Sequence, residues 1–400
     1  MRVLQIGRYG TVKGGAESYV LELSAGLRDA GHEVALAYRF DPDDSRPEVR
    51  AGMQIAAITS RSATPTDVEV AEVRRAVEAF APDLIHIHNA EASWLPGACA
   101  RMAPVVNAVH DHRLDCPTGT RYWAGWSRAC DVAPGAGCLG YNVAAHCGSL
   151  RANATLEPYL RWKRLHAAAR SGPRIQVFSA FMQGMLGRVG IEAPIDVTPY
   201  PATVLPDAAP ADPGDARPVV FAHGRATKEK GFDLLLDAMH TVEMPAHLVI
   251  AGDGHQLPAL RRASAGVPSR HRVTFLGWTG RDLLAAWLRA ATVAAVPSAW
   301  PEPFGIAGME AMSAGLPVVA TDIGGIREWL DHDVTGIAVP PRDAAAFGRA
   351  IARLLADAPL RRRMGVAARG RIETEFTRDA HIERVARIYE QARRSWKEAA

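Results

Sequence analysis

At 400 residues the chain is longer than one hydrophobic core usually serves, so two domains are expected. Its 48% hydrophobic and 22% charged residues are ordinary for a globular protein, and a net charge of +3 with dispersed basic residues offers no stripe for nucleic acid. No run reaches the length of a membrane span and MRVLQIGRYG enters a strand without a signal-peptide pattern, so a cytoplasmic protein with at most peripheral membrane contact is expected.

RVLQIG reads as a first strand, RYGTVKGGAES as a glycine-bearing loop and YVLELSAGLRDAG as a helix ended by Gly31. Gly14 and Gly15 let the backbone approach a bound group closely, although this is not GxGxxG and by itself points to no particular ligand. The runs VALAY, QIAAI, LIHIH, VVNAV and QVFS then alternate with helical segments, as a doubly wound parallel sheet requires. His86 and His88 alternate along LIHIH and share one sheet face; His86 reads as structural, while His88 with Asn89 suits a cleft as well as a core. His110 follows VVNAV at the start of a loop, with Asp111 beside it.

From His110 to Leu150 the hydrophobic periodicity lapses, and this excursion holds four of the five cysteines. A stretch so rich in Gly, Pro and Trp needs something besides a core to order it. In a cytosolic protein a metal is preferred over disulfides as the staple. One reading is a structural zinc held by Cys116, Cys130, Cys138 and Cys147, or with His112 or His146 replacing a thiolate. No CxxC knuckle is present, and reduced, unliganded thiols are the slightly favoured alternative. Cys99, in SWLPGACARM, reads as a small buried hydrophobe. YLRWKRLHAAARSGPR reads as an amphipathic helix, in which Trp162 among basic residues would also suit a membrane surface if the acceptor were lipid-borne.

The Pro-rich stretch from Thr198 to Pro218 reads as a linker, 201–217 at its heart, between a first domain at 1–200 and a second at 218–377. The strands of the second are VVFAHG, AHLVIAG, RVTFLG, TVAAVP, PVVATD and GIAVP. In FAHGRATKEKGFDLLLDA a strand ends at Gly224, and Arg225 and Lys230 stand at its carboxyl end, where a planar fork and a point charge can neutralise an anion such as a diphosphate. In Glu302-Pro-Phe-Gly-Ile-Ala-Gly-Met-Glu310 two carboxylates flank a turn that starts a helix ending at Gly315. Phe304 and Gly305 offer backbone N–H groups to a diphosphate there, and the carboxylates accept hydroxyl protons from a sugar or a ribose. The phosphate loop and the two-glutamate loop should converge beyond the carboxyl ends of their strands. After Thr377 the chain reads as one long amphipathic helix.

The KGGAE loop, HGRATKEKG, AGDGHQLPAL, FLGW, EPFGIAGMEAMSAGLPVVATDIGGIREWL and VTGIAVPPRD, in this order, resemble the large fourth family of retaining glycosyltransferases, also called glycosyl transferases group 1. The resemblance covers nearly the whole chain. It implies an α/β protein of the GT-B fold, with two facing Rossmann-like domains, a nucleotide-sugar cleft between them and residues 378–400 returning toward the first domain. It also implies transfer of a sugar from a nucleoside-diphosphate donor, UDP being favoured, to an acceptor hydroxyl on a glycan, glycoside or lipid-linked molecule.

Under the resemblance, His110 takes the place beside the donor sugar, Glu302 binds sugar hydroxyls and Glu310 the ribose. Gly14, Gly15, Gly224, Phe304 and Gly305 line the donor. The family offers no accepted nucleophile for a double displacement, so front-face departure is expected, with Arg225, Lys230 and helix amides stabilising the leaving diphosphate. No acidic pair of the DxD kind stands where a diphosphate-bound metal would be held, so a divalent metal is expected to be dispensable and no cofactor is expected in catalysis. Three alternatives stand beside this reading: a sugar-nucleotide epimerase or hydrolase that needs no acceptor, a non-catalytic nucleotide-sugar sensor, and a membrane- or nucleic-acid-binding role for the Trp162 helix.

Overall fold

The protein was analysed in a computed structural model that describes residues 1–9, 14–39, 53–55, 62–148 and 153–399. Positions 10–13 of the glycine-bearing loop, 56–58 of the expected QIAAI strand and 149–150 at the end of the excursion lie outside the described residues. The chain divides into two compact units, one of residues 1–121, 132–200 and 378–400, the other of residues 122–131 and 201–377.

In chain order the elements begin β1 (Arg2–Tyr9), α1 (Gly15–Asp29), β2 (Glu33–Arg39), β3 (Met53–Gln54), α2 (Asp67–Phe80), β4 (Leu84–His88), α3 (Leu95–Ala100) and β5 (Val105–Ala108). They continue with β6 (Tyr122–Trp123), β7 (Arg128–Ala129), α4 (Gly137–Ala144), α5 (Asn153–Arg170), β8 (Arg174–Val177), α6 (Ala180–Arg188) and β9 (Ile195–Val197). Then come β10 (Val219–His223), α7 (Phe232–Ala238), β11 (His247–Ala251), α8 (Leu257–Ala263), β12 (Arg272–Gly277), α9 (Arg281–Ala290) and β13 (Val293–Val296). The last are α10 (Ile306–Ser313), β14 (Val318–Thr321), β15 (Gly336–Val339), α11 (Ala344–Ala356), α12 (Ala358–Glu375) and α13 (Arg378–Ala399).

The first unit is a seven-stranded parallel sheet in the order β3-β2-β1-β4-β5-β8-β9. Its central strands are covered on both faces, so LIHIH in β4 is buried at every position and its histidines must find partners inside the protein. Leu4, Ile6, Ile85, Ile87 and Val105 pack with Val73 and Val77 of α2. A capping box starts α2: the Thr66 hydroxyl accepts from the Glu69 N–H while Glu69 accepts from the Thr66 N–H. Trp162 is buried in α5 and its Nε1 donates to Leu114 O at 3.0 Å, so it is a core anchor and not a surface aromatic.

The second unit is a six-stranded parallel sheet in the order β12-β11-β10-β13-β14-β15. Its core joins Val220, Leu248, Val293 and Val319 of the strands to Leu235 and Leu236 of α7 and Phe347, Ile351 and Leu354 of α11. Two elements were not expected from the sequence: the edge strand β9 and the hairpin β6–β7. That hairpin arises inside the excursion yet is grouped with the second unit, where Tyr122 packs against Ala299 and Trp300.

Candidate active site

In the second unit the strand order reverses between β10 and β13, and a crevice beyond the carboxyl ends of such strands is where α/β sheets bind ligands. The loops leaving β10, β11 and β12 are laced by their backbones. Gly224 N donates to Ala251 O at 3.0 Å, Ala226 N to Asp253 O at 2.8 Å and Gly252 N to Gly277 O at 2.7 Å. The approach is close enough that a Cβ on Gly252 would lie 1.8 Å from Gly224 O. This lacing sets where Arg225 and Lys230 leave the backbone.

Lys230 and Glu302 meet across the two loops. Lys230 Nζ donates to Glu302 Oε1 at 2.7 Å, Ser298 Oγ donates to the same oxygen at 2.6 Å, and the ammonium stands 5.2 Å from the Trp300 ring centroid. Burial pushes the Glu302 carboxyl up, but Lys230 and the hydrogen bonds from Lys230 and Ser298 outweigh it and hold the group below the usual carboxylate range. Glu302 lies in the loop before α10 yet is only 4% exposed. The reason lies in Gly324 and Gly325, whose Cβ atoms would stand 2.4 Å from Glu302 O and 2.5 Å from Pro303 O. Gly325 N donates to Glu302 O at 2.7 Å, so the loop is drawn down onto that glycine pair. Of the two cations, Lys230 is ion-paired to Glu302, while the Arg225 side chain is 61% exposed and 3.8 Å from Glu229.

The turn before α10 is held from below. Trp329 Nε1 donates to Phe304 O at 2.7 Å, the Phe304 side chain is buried, and Gly305 caps the helix at φ +100°. The first-turn amides of a helix have no intrahelical acceptor, so this end attracts negative charge. Glu310, in the second turn, meets His223 at the end of β10, with His223 Nε2 2.8 Å from Glu310 Oε2. His223 was missed by sequence reasoning; its only signal was a polar residue ending the hydrophobic run VVFAH.

In the first unit His110 sits in a buried chain of polar groups. Its Nε2 is 3.1 Å from His88 Nδ1, its Nδ1 is 2.5 Å from the Tyr200 hydroxyl, and His88 Nε2 is 2.6 Å from Gln5 Oε1. The amide oxygen of Gln5 only accepts, which assigns every proton: His88 Nε2–H donates to Gln5, His110 Nε2–H donates to His88, and the Tyr200 hydroxyl donates to His110. Both ring nitrogens of His110 are therefore engaged inside the unit. Burial drives the His110 pKa down to about 3 and holds His88 well below its ordinary value. The His110 backbone N–H donates to Asn89 Oδ1 at 2.8 Å. Beside it Asp111 receives two side-chain bonds from Arg113, at 2.8 and 2.7 Å. Burial alone would raise the Asp111 carboxyl; the guanidinium overrides it and sets the pKa at about 2.

Gly14 caps α1 at φ −175°, extended backbone that any residue adopts, and among the described residues a Cβ there would meet Glu17 Oε2 at 3.6 Å. Gly15 is the first residue of α1. Among the described residues nothing makes a steric demand for glycine at position 14.

Among the described residues no group of three or more His, Cys, Asp or Glu side chains is placed to hold a metal ion, and none of the five cysteines is in a disulfide. Cys116 lies 3.2 Å from Thr118 Oγ1 and accepts from the Arg121 N–H at 3.4 Å, while Cys147 donates to Asn142 Oδ1 at 3.9 Å. What orders the excursion instead is buried charge: Arg121 donates to Asp115 Oδ2 at 2.8 Å and to Val132 O at 2.5 Å, and Asp115 also takes His112 at 3.1 Å.

Comparison with known proteins bears on what this geometry serves. The family model "Glycosyltransferase Family 4" matches residues 13–201 and "Glycosyl transferases group 1" matches residues 209–371. A phosphatidyl-myo-inositol mannosyltransferase of Mycobacterium leprae is 28% identical, with 98% of this chain and 96% of the relative aligned. An uncharacterised glycosyltransferase of Methanocaldococcus jannaschii is 38% identical over 145 residues, which are 36% of this chain and 37% of that one. Among solved structures, a sucrose-phosphate synthase from Thermosynechococcus elongatus superposes with a TM-score of 0.73 at 24% identity, covering 98% of both chains. The Anabaena protein HepE in complex with UDP-glucose does so at 0.70 and 19% identity, covering 98% of this chain and 100% of that one. With two parallel-sheet α/β units, and family models matched in turn along nearly its whole length, the chain belongs to the group 1, family 4 glycosyltransferases and has their GT-B fold.

Proposed function

We propose that the protein moves a sugar from a nucleoside-diphosphate sugar, a UDP-sugar by preference, to a hydroxyl of a glycan, glycoside or lipid-linked acceptor, with retention at the anomeric carbon. The observation that carries this reading is the shared Glu302 oxygen. Lys230 from one loop and Ser298 from the other both donate to it, which orients a buried carboxylate just before the start of α10. A carboxylate so held suits sugar hydroxyls, and the Lys230 ammonium beside it suits the diphosphate that leaves. Support for a uridine nucleotide is that HepE was solved with UDP-glucose.

In the proposed step the bond from C1 to the diphosphate oxygen breaks, and its electron pair departs with the diphosphate. The acceptor oxygen bonds to C1 on the same face, and its proton passes to the departing phosphate oxygen. Arg225, Lys230 and the first-turn amides of α10 stabilise the charge that develops, so the reading needs no divalent metal. Glu310, set by His223, takes the ribose hydroxyls. His110, with both nitrogens engaged and a pKa of about 3, contributes by shape and not by proton transfer.

Thermal stabilisation by UDP, GDP and dTDP tests the base, and incubation of the matching sugar nucleotides with glycoside acceptors tests transfer. A product whose anomeric coupling constant equals the donor's is expected. Nucleotide released without any second sugar consumed would favour the hydrolase or epimerase alternative, and no stabilisation by any nucleotide would overturn the reading.

A further inference from the structure

The hairpin β6–β7 has two-residue strands, Tyr122 opposite Ala129 and Trp123 opposite Arg128, and a hairpin so short does not hold itself together in water. It is braced from two sides. At its base Arg121, itself 3% exposed, bonds both to Asp115 and to Val132 O and so ties the entering and leaving chain together. At its root Tyr122, 4% exposed, packs on Ala299 and Trp300. The rigidity is used to hold something out. Trp123 is buried and does the packing, whereas Trp126, in the turn closed by its N–H to Trp123 O at 3.1 Å, is 43% exposed. The two indoles meet edge to face at 5.0 Å, and the Arg128 guanidinium lies 4.7 Å from the Trp123 ring and 6.0 Å from that of Trp126.

We propose that this hairpin is an acceptor-sugar subsite, with the exposed Trp126 indole as its stacking platform and Arg128 as its hydrogen-bond donor; the assignment rests on the glycosyl-transfer reading above. A pyranose or cyclitol ring has an apolar face of C–H groups and a rim of hydroxyls. A fixed indole covers the first and a guanidinium edge reaches the second. The occupant is a sugar because of where the hairpin is rooted: Trp300, which Tyr122 covers, precedes Glu302 by two residues and carries the Lys230 ammonium over its ring. The acceptor of a glycosyltransferase must lie beside the donor sugar, and this hairpin is the neighbouring wall. Leaving an indole this exposed on a braced support forgoes burial that Trp123 shows is available, the expected arrangement for a preorganised binding surface.

Saturation-transfer NMR tests the platform with myo-inositol and with the methyl glucosides and mannosides of both anomers as probes. Wild-type protein should saturate ring C–H protons of at least one probe. The effect should fall roughly fivefold in Trp126→Ala, the order of one aromatic contact, recover in part in Trp126→Phe, and persist in Trp278→Ala, which removes an exposed tryptophan elsewhere. No transfer from wild type to any probe, or equal transfer to Trp126→Ala, overturns the subsite. Stabilisation by UDP, measured on the same proteins, should survive Trp126→Ala; its selective loss there would make the hairpin part of the donor wall and overturn the assignment. If UDP stabilises no variant, wild type included, the donor reading fails while the NMR comparison still decides the platform.

Discussion

Trp329 lies across Gly308: a Cβ on that glycine would stand 2.0 Å from the indole, whose Nε1 meanwhile donates to Phe304 O. The ring is fully buried, so it has nowhere to go. Gly308→Ala should therefore push the start of α10 away from its support, at a cost of roughly 1–3 kcal/mol, the usual range for overpacking. Trp329→Phe keeps most of the ring but leaves the Phe304 carbonyl without its donor, at about 1–3 kcal/mol. Urea denaturation measures both, and an unchanged midpoint in Gly308→Ala would show that the helix start is not seated on Trp329.

Lys230→Ala and Arg225→Ala should separate stability from catalysis. Removing Lys230 leaves Glu302 buried without its cation, a change of about 3 kcal/mol or more, and Glu302→Gln in the same protein should restore much of that stability without restoring turnover. Arg225 is mostly exposed, so its removal should leave the melting temperature in place while turnover falls by about two orders of magnitude, as for a lost contact to a developing anion. Normal turnover in Arg225→Ala would remove it from the diphosphate.

Glu310→Ala should weaken free UDP and a UDP-sugar by similar factors, since its partner His223 sets it for the ribose common to both. Glu302→Ala should weaken chiefly the complete sugar nucleotide. Calorimetry on the two variants compares them directly, and equal losses of UDP affinity would refute the division of roles.

Acid should destabilise the first unit through its histidines. His86, His88, His110 and His381 are all held below their ordinary pKa by burial, His110 to about 3 and His381 to about 4. As pH falls below about 6.5 the unfolded chain takes up protons that the folded one refuses, so stability is complete above that pH and is lost progressively toward about pH 4. Each histidine contributes up to about 1.4 kcal/mol per pH unit within that window. Urea midpoints measured across it should fall steeply, and less steeply in His381→Gln. A flat profile would mean that the rings are charged in the folded protein.

The alternating hydrophobic runs made both sheets legible because parallel strands covered on two faces are largely apolar, as VVFA of β10 and LVIA of β11 are. β9 escaped because three residues behind a proline carry no pattern, and β6–β7 because Tyr122 and Trp123 are ordered by Arg121 and Trp300 from outside the hairpin. The charges of the site were legible as residue types at strand ends, but their pairing was not. That Lys230 spends its charge on Glu302, that Gly324 and Gly325 draw Glu302 inward, and that Tyr200 and Gln5 occupy the histidine chain are facts of distances between segments far apart in sequence. The neighbours of the cysteines were no more legible: Thr118 and Arg121 stand next to Cys116, and Asn142 next to Cys147.

The Tyr389 hydroxyl of α13 bonds to His86 Nδ1 at 2.8 Å and receives Gln5 Nε2 at 3.3 Å, while His381 of the same helix pairs with Tyr19 at 3.0 Å and with Pro199 O at 2.7 Å. A ribosome makes β1 and β4 early and α13 only after the whole second unit. Until then His86, Gln5 and Tyr19 stay without these partners, so the first unit cannot complete itself as it emerges. The second unit, made of later residues apart from one short hairpin, meets no such delay. The half of the protein that is translated first is thus the half that finishes folding last, and a nascent chain stalled before residue 378 should present an open, protease-sensitive first unit beside a closed second one.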